Sequence, residues 1–178
     1  MRSQLAALPL ALSLAACATV PPTRASREDL KESAVEALRQ MKFEDPTLAP
    51  TFLEPAHGYV IFPSVAKGAY VLGGSYGRGI VYRQGTPIGY ADITQATLGF
   101  QFGGQTYMEL LVFQDEAALQ RFEEGRLSAT ANLSAVILKT GAAASARYTE
   151  GVAVFVRPVG GAMIEAAVGG QQFSFQPE

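Results

Sequence analysis

The sequence is short of the residues that most metalloproteins and many enzymes use. Its 178 residues include one cysteine, one histidine and no tryptophan. One cysteine cannot form a disulfide within the chain, and one histidine with one cysteine supplies too few ligands for an ordinary zinc site. The net charge is −2, from 14 Lys and Arg against 16 Asp and Glu, which argues against a broad basic face for nucleic acid. We predict no metal, no cofactor and no nucleic-acid partner.

The longest apolar run lies at the N-terminus. It covers residues 5–16, is interrupted by Pro9 and Ser13, and follows Arg2. A run of about 12 residues is too short to span a bilayer core, which needs roughly 20, but it is typical of a secretory signal peptide. The run ends in the letters LAAC at residues 14–17, which resemble the lipobox of bacterial lipoproteins. This pattern predicts a lipoprotein signal peptide at residues 1–16.

Cys17 is the predicted lipidation site, because its thiol can carry diacylglycerol as a thioether. Two or three acyl chains, at about 0.8 kcal/mol per buried methylene group, give an anchor that does not readily leave a bilayer. In Gram-negative lipoproteins the next residue guides sorting, and Ala18 is not the aspartate that favours inner-membrane retention. We predict anchoring at the periplasmic face of the outer membrane. The alternatives are an ordinary signal peptide with an incidental cysteine, or an uncleaved membrane helix.

The mature chain is predicted to begin with a short tether and a helix. Residues 17–25 contain the lipidated cysteine and a Pro-Pro pair, and residues 26–178 form one domain. Ser26 is the expected N-cap, with Asp29 as its capping-box partner. Apolar residues then recur at helical spacing, which predicts an amphipathic helix ending near Lys42 and packed on the domain. A second short helix is expected over residues 46–53.

From Gly58 onward, β-branched and aromatic residues separated by glycines predict strands. We expect strands at residues 59–62, 69–72, 79–83, 88–93, 97–102 and 107–113, then within 127–138 and at 151–156, 162–167 and 172–175. Asp115 is predicted to cap a middle helix over residues 116–123, which Gly125 ends. The predicted fold class is α+β: a strongly curved, mainly antiparallel and possibly barrel-like sheet, with the N-terminal and middle helices packed on it.

One stretch of this sheet region resembles the SYLF domain family. The letters GYVIFPSVAKG at residues 58–68 and GGSYGRG at residues 73–79 carry the resemblance, and LGFQFGGQT at residues 98–106 extends it. The resemblance covers roughly residues 26–175 and is weaker after Gly125. It implies binding of anionic phospholipids, including phosphoinositides, and in some eukaryotic relatives of actin.

Two patterns in the sequence resemble catalytic sites. Residues 73–77 match the G-x-S-x-G pattern of hydrolases around Ser75, but that motif needs a histidine base downstream, and His57 lies upstream. We expect a glycine-rich strand turn there and a turn or packing role for His57. Asp92 and Glu109 are isolated carboxylates that nothing in the sequence places together as an acid pair. No catalytic residues are predicted.

Charge is locally reversed in the middle of the chain. Between residues 55 and 108 the cations are Lys67, Arg78 and Arg83, and the only anion is Asp92. If the strands bring these three cations to one edge, they can bind a phosphate head group, the arginines through forked hydrogen bonds. The alternative is that they keep the sheet soluble and protect its edges.

The sequence therefore predicts a non-enzymatic, outer-membrane-anchored lipoprotein whose SYLF-like domain binds the anionic head groups of phospholipids. The alternative is a structural or assembly lipoprotein of the cell envelope that binds a protein partner or self-associates. An unrecognised hydrolase is a third reading, which the scarcity of histidine and of clustered carboxylates disfavours.

Overall fold

A computed structural model describes residues 19–68, 72–98, 105–127, 135–160 and 171–178. The predicted signal peptide, Cys17 and the predicted strand at residues 162–167 lie outside the described residues. The same holds for parts of the strands predicted at 69–72, 97–102 and 127–138.

Three α-helices, one π-helix and seven strands make up the described part of the chain. In order they are α1 (Arg24–Glu44), the π-helix (Ala49–Leu53), β1 (Gly58–Gly68), β2 (Leu72–Arg83), β3 (Thr86–Leu98), β4 (Gln105–Phe113), α2 (Glu116–Glu123), β5 (Ala135–Ile137), α3 (Ala142–Ser145), β6 (Val152–Gly160) and β7 (Gln171–Pro177). None of the described helices is both long and apolar enough to cross a membrane.

The seven strands form one mixed sheet in the order β5-β6-β4-β1-β2-β3-β7. All neighbours run antiparallel except β5 and β6, which are parallel. The predicted α+β class and mainly antiparallel sheet are confirmed. The possibility that the sheet is barrel-like is wrong, because among the described strands β5 and β7 are edges, each paired on one side only.

Each face of the sheet carries its own core, because successive side chains of a strand point to opposite faces. The face covered by α2, here called the α2 face, buries Phe62, Val81, Ile93, Phe113 and Val154 against Leu119 and Phe122. The opposite α1 face buries Ile61, Ile80, Tyr90, Leu110 and Phe155 against α1, the π-helix and α3. The amphipathic N-terminal helix therefore packs on the sheet, as predicted.

The start of α1 differs from the prediction. Its N-cap is Thr23, whose Oγ1 accepts from the Ser26 backbone N at 3.0 Å, while Ser26 Oγ accepts from the Thr23 backbone N at 3.2 Å. Ser26 thus occupies the third helical position and completes the capping box rather than starting the helix. The helix extends to Glu44, two residues past the predicted end.

The glycine-rich segment at residues 73–79 is part of one long strand, not the turn between two strands that we predicted. A Cβ atom on Gly79 would lie 2.5 Å from the Ile61 carbonyl oxygen and 2.7 Å from Phe62 Cδ1. Glycine is therefore required here for close packing of β2 on β1. In the sequence alone, a glycine with this role cannot be distinguished from one that ends a strand. Likewise, β3 is a single strand, Thr86–Leu98, where we predicted the end of one strand at residue 93 and the start of another at residue 97.

The middle helix is as predicted. Asp115 Oδ1 accepts from the Ala118 backbone N at 2.8 Å, and the helix covers Glu116–Glu123. Gly125 follows with a φ of +66°, the left-handed conformation in which helices commonly end. The predicted short helix over residues 46–53 is a π-helix over Ala49–Leu53, and α3 was not predicted.

Candidate functional site

Arg78 lies in a polar cluster on the α1 face of the sheet. Its Nε donates to Asp92 Oδ1 at 3.0 Å, and its Nη2 donates to the Tyr76 hydroxyl oxygen at 2.9 Å. The Tyr76 hydroxyl in turn donates to Asp92 Oδ1 at 3.1 Å. Partial burial opposes the charge of Arg78, but Asp92 outweighs it and the pKa of Arg78 is raised. The guanidinium is thus held in place and remains 25% exposed.

Arg83 lies elsewhere, on the α2 face. Its Nη2 donates to Glu123 Oε1 at 2.8 Å, at the end of α2. Residues five apart on a regular strand point to opposite faces, so β2 separates Arg83 from Arg78. The backbone of Lys67 pairs with Ser75 on one side and with Gln105 on the other. The Lys67 side chain is not among the parts that the structure describes.

The local excess of cations in the sequence is therefore balanced in the fold. Asp92 pairs with Arg78 across neighbouring strands, and Glu123 pairs with Arg83 from a distant helix. The structure does not bring Arg78 and Arg83 to one edge. Whether Lys67, Arg78 and Arg83 bind head groups stays a prediction.

The hydrolase-like motif has no catalytic geometry. Ser75 lies inside β2, is buried, and donates to Gln95 Oε1 at 3.4 Å. His57 precedes β1, whereas Ser75 pairs with Lys67 near the far end of that strand. Ten residues of strand, at about 3.3 Å each, separate the two levels by about 30 Å. This serine and this histidine cannot form a nucleophile and base.

The two isolated carboxylates also lie apart. Asp92 faces α1 and pairs with Arg78, whereas Glu109 is fully buried on the α2 face, between Tyr107 and Leu111 of that core. No group of three His, Cys, Asp or Glu in the described residues could hold a metal ion.

Glu109 belongs to a buried polar cluster that the sequence analysis did not identify. Gln171 Nε2 donates to Glu109 Oε2 at 3.0 Å, and the buried Tyr107 lies close to Ser75 and Gln171. Burial raises the pKa of Glu109 to about 8 despite the hydrogen bond from Gln171. Within the described part of the chain, Glu109 Oε1 and Gln171 Oε1 have no hydrogen-bond partner.

This cluster joins strands that are distant in the sheet. Glu109 is on β4 and Gln171 is on β7, with β1, β2 and β3 between them in strand order. In a flat sheet four strand spacings would separate them by about 19 Å. The 3.0 Å hydrogen bond therefore requires the sheet to bend toward the α2 face, where Phe173 of β7 also lies 5.6 Å from Phe122 between ring centroids.

A groove opens at the other end of the sheet, between α1, the π-helix and the β2–β3 turn at Gln84 and Gly85. It encloses about 640 Å³ and is lined in part by Lys42, Glu54, His57 and Tyr59. His57 Nε2 is buried there without a hydrogen-bond partner in the described residues. The single Lys42 charge faces the opposite charge of Glu54, so the groove shows no preference for an anion or a cation.

The C-terminal part of the domain is similar to a known protein family. Residues 94–174 match the Ysc84 family, described as "Las17-binding protein actin regulator". This part of the chain is therefore similar to the Ysc84/SYLF domain family. The SYLF resemblance predicted from the sequence is confirmed, and the match includes the residues after Gly125, where the motifs resembled the family least.

A curated relative extends the similarity toward the N-terminus. The chain is 27% identical over 149 residues to beta cell expansion factor A of Aeromonas veronii, which covers 83% of the chain and 56% of that protein. The chain thus spans little more than half the length of this relative. The match to the SYLF family suggests a lipid-binding or actin-regulator-like domain, and the matched family is not known as enzymatic.

Proposed function

We propose that this protein is a membrane-anchored lipoprotein whose SYLF domain binds phospholipids with anionic head groups. The observation that carries the proposal is the family match over residues 94–174. The lipobox-like letters at residues 14–17 support an anchor at Cys17, and Ala18 supports the periplasmic face of the outer membrane.

The ion pairs of the predicted head-group residues are compatible with this function. Arg83 and Glu123 are partly exposed, and an exposed ion pair contributes only about 0–1 kcal/mol. A phosphate can therefore replace Glu123 at small cost. Arg78 is held more firmly by the buried Asp92, and an ordered, partly exposed guanidinium loses little freedom on binding. Each cation near an anionic surface contributes about 1 kcal/mol.

Vesicle flotation tests the proposal. A chain comprising residues 18–178 is mixed with vesicles of phosphatidylglycerol and phosphatidylcholine, or of phosphatidylcholine alone. We expect binding to the anionic vesicles, weakened by up to about 100-fold when Lys67, Arg78 and Arg83 are all replaced by alanine.

The matched control removes one lysine and two arginines from other places. Lys139→Ala, Arg126→Ala and Arg147→Ala change the net charge equally and lie outside the predicted site. Equal binding by wild type and the Lys67, Arg78, Arg83 variant would eliminate these residues as the site. Failure of the wild type to bind any vesicle even at millimolar lipid, the level that a tether would supply, would eliminate phospholipid binding itself.

A second candidate is a structural or assembly lipoprotein of the envelope. Two observations favour it: the matched family is described by binding to another protein, and β5 is an edge strand with Ile137 40% exposed. Lipid extraction from purified protein, followed by mass spectrometry, separates the candidates. Specifically retained phospholipid supports the first, whereas a lipid-free domain that crosslinks to a protein partner supports the second.

A further inference from the structure

A row of side chains, four of them exposed and Thr106 half-buried, crosses the α1 face of the sheet beyond the part that α1 covers. The row follows the backbone pairing from β7 to β4, so its members are direct neighbours. We call it the outer row; it consists of Gln172, Thr94, Tyr76, Ala66 and Thr106. None of the five carries a charge, and Tyr76 is 44% exposed. Removing this surface from water therefore costs no desolvation of an ion.

Two arginines lie beside the outer row on the same face. Arg78 is anchored by Asp92, and Arg157 Nε lies 3.5 Å from Glu44 Oε2. Each arginine side chain is about one-quarter exposed, at 25% and 26%. Val159, two residues after Arg157 on β6, is 54% exposed. An uncharged surface with an exposed tyrosine and flanking arginines has the composition of protein surfaces at the membrane–water interface.

The start of the described chain leads to this same surface. Thr19 Oγ1 and Ser174 Oγ share a hydrogen bond at 3.2 Å. Ser174 pairs with Asp92 and lies two residues from Gln172 of the outer row. Residue 17 is two residues before Thr19, and two residues of chain extend at most about 7 Å. Acyl chains attached to Cys17 would thus begin close to the β7 end of the outer row.

We propose that the outer row is the surface by which the domain contacts the lipid bilayer. This inference rests on the proposed anchor at Cys17. The anchor holds the row against the leaflet, with Tyr76 at the depth of the head groups and Arg78 and Arg157 beside their phosphates. The α2 face then points away from the membrane.

The charge of α1 disfavours the opposite arrangement, in which the exposed side of the helix lies on the membrane. The exposed side of α1 carries four acidic residues against three basic ones, so it has no net positive charge to attract an anionic leaflet. The acidic residues are Glu28, Asp29, Glu32 and Glu36, and the basic ones are Arg24, Arg39 and Lys42. Arg78 beside the outer row carries no such disadvantage, because its carboxylate partner Asp92 is buried.

Site-specific fluorescence tests the proposal on the full-length, lipidated protein in vesicles. If Cys17 is a thioether, an introduced cysteine is the only free thiol in the chain. Tyr76→Cys and Thr94→Cys place a polarity-sensitive dye in the outer row, and Gln120→Cys places it on the exposed side of α2. We expect a quencher attached to lipid head groups to reduce the fluorescence at positions 76 and 94 several-fold more than at position 120.

The outcomes distinguish a wrong surface from a wrong anchor. Wild-type protein that reacts with the dye has a free Cys17 and carries no thioether, which overturns the anchor. An unreactive wild type with equal quenching at positions 76, 94 and 120 leaves the anchor intact and overturns the outer row as the contact surface. Energy transfer between copies at position 76 without quenching by lipid would also overturn it, because the row would then be an interface between copies.

Discussion

The ionisation of Glu109 should make the domain less stable as the pH rises. Its carboxyl has an ordinary pKa of 4.5 and, because it is buried, a pKa of about 8 in the folded protein. Between these values the unfolded chain is ionised at this position while the folded chain keeps the proton. The folded state then binds more protons than the unfolded state, so the free energy of unfolding falls with increasing pH.

The size of the effect follows from the same two values. The pKa of Glu109 rises from 4.5 in the unfolded chain to about 8 in the folded protein. At about 1.4 kcal/mol per pKa unit, this difference corresponds to about 5 kcal/mol in the free energy of unfolding. This stability is fully present below pH 4.5 and is lost by about pH 8. Since small domains have about 5–15 kcal/mol in total, a loss of even half this size is easily measured.

The hydrogen bonds of the cluster give the protonated form a structural role. With Gln171 Nε2 donating to Glu109 Oε2, the two atoms left over are both oxygens, Glu109 Oε1 and Gln171 Oε1. A proton on Glu109 supplies the one donor that the acid–amide pair lacks. Deprotonation removes that donor and leaves a charge in an apolar interior.

Urea unfolding followed by circular dichroism at pH 5, 6, 7, 8 and 9 measures this prediction. Glu109→Gln is neutral at every pH, so its stability should exceed that of the wild type at pH 9 and should not show the decline assigned to this carboxyl. Glu116→Gln, at an exposed position of α2, should keep the wild-type decline. A wild-type stability that is flat from pH 5 to 8, or a decline that survives in Glu109→Gln, would refute the reasoning.

Three further predictions concern the fold. Asp45 is buried, which opposes its charge, but it accepts hydrogen bonds from the backbone of Thr47, Gly141 and Ala143, and these lower its pKa. In urea unfolding, Asp45→Ala should therefore lower the free energy of unfolding by at least about 3 kcal/mol. A loss no larger than that of Asp45→Asn would contradict this. Gly79→Ala should lower the free energy of unfolding by about 2 kcal/mol or more, because the added Cβ would clash with the Ile61 carbonyl oxygen. Gly85→Ala has open space around it and only the strain of a positive φ, so it should lower the free energy of unfolding by about 1 kcal/mol. Thr23→Ala should reduce stability by about 1 kcal/mol through the lost cap, with Ser33→Ala on the exposed side of α1 as a nearly neutral control.

Local signals predicted the parts of the fold that local interactions determine. Asp115 and Gly125 mark the two ends of α2, and both act within a few residues of the helix. At α1 the same reasoning chose the wrong cap, because Thr23 and Ser26 are both good caps and share one capping box. The glycines of β2 predict a turn when the sequence is considered alone. They instead allow β1 to approach closely, and this depends on a strand pairing that cannot be inferred from the sequence.

The sequence identifies the candidate site residues but not which of them lie together in the fold. Arg78 and Asp92 are 14 residues apart and meet through the register of β2 and β3, while Arg83 meets Glu123 from 40 residues away. Glu109 and Gln171 are 62 residues apart and meet only because the sheet bends. An excess of cations in a sequence segment is therefore a weak predictor of a basic surface, because distant carboxylates can neutralise it.

The proposed anchor changes how much affinity the domain needs. A domain free in solution must bind lipid strongly enough to offset its lost translational freedom, and arginines already paired with Asp92 and Glu123 offer little surplus for that. A domain tethered through Cys17 meets head groups at an effective concentration set by a tether of only a few residues, at millimolar levels or above. Contacts that are weak in solution then suffice at the membrane. It follows that the lipidated protein should show contact of the outer row even where the soluble chain of residues 18–178 binds vesicles weakly. If the two forms contacted vesicles equally well, the recognition would reside in the domain alone and the anchor would be dispensable for it.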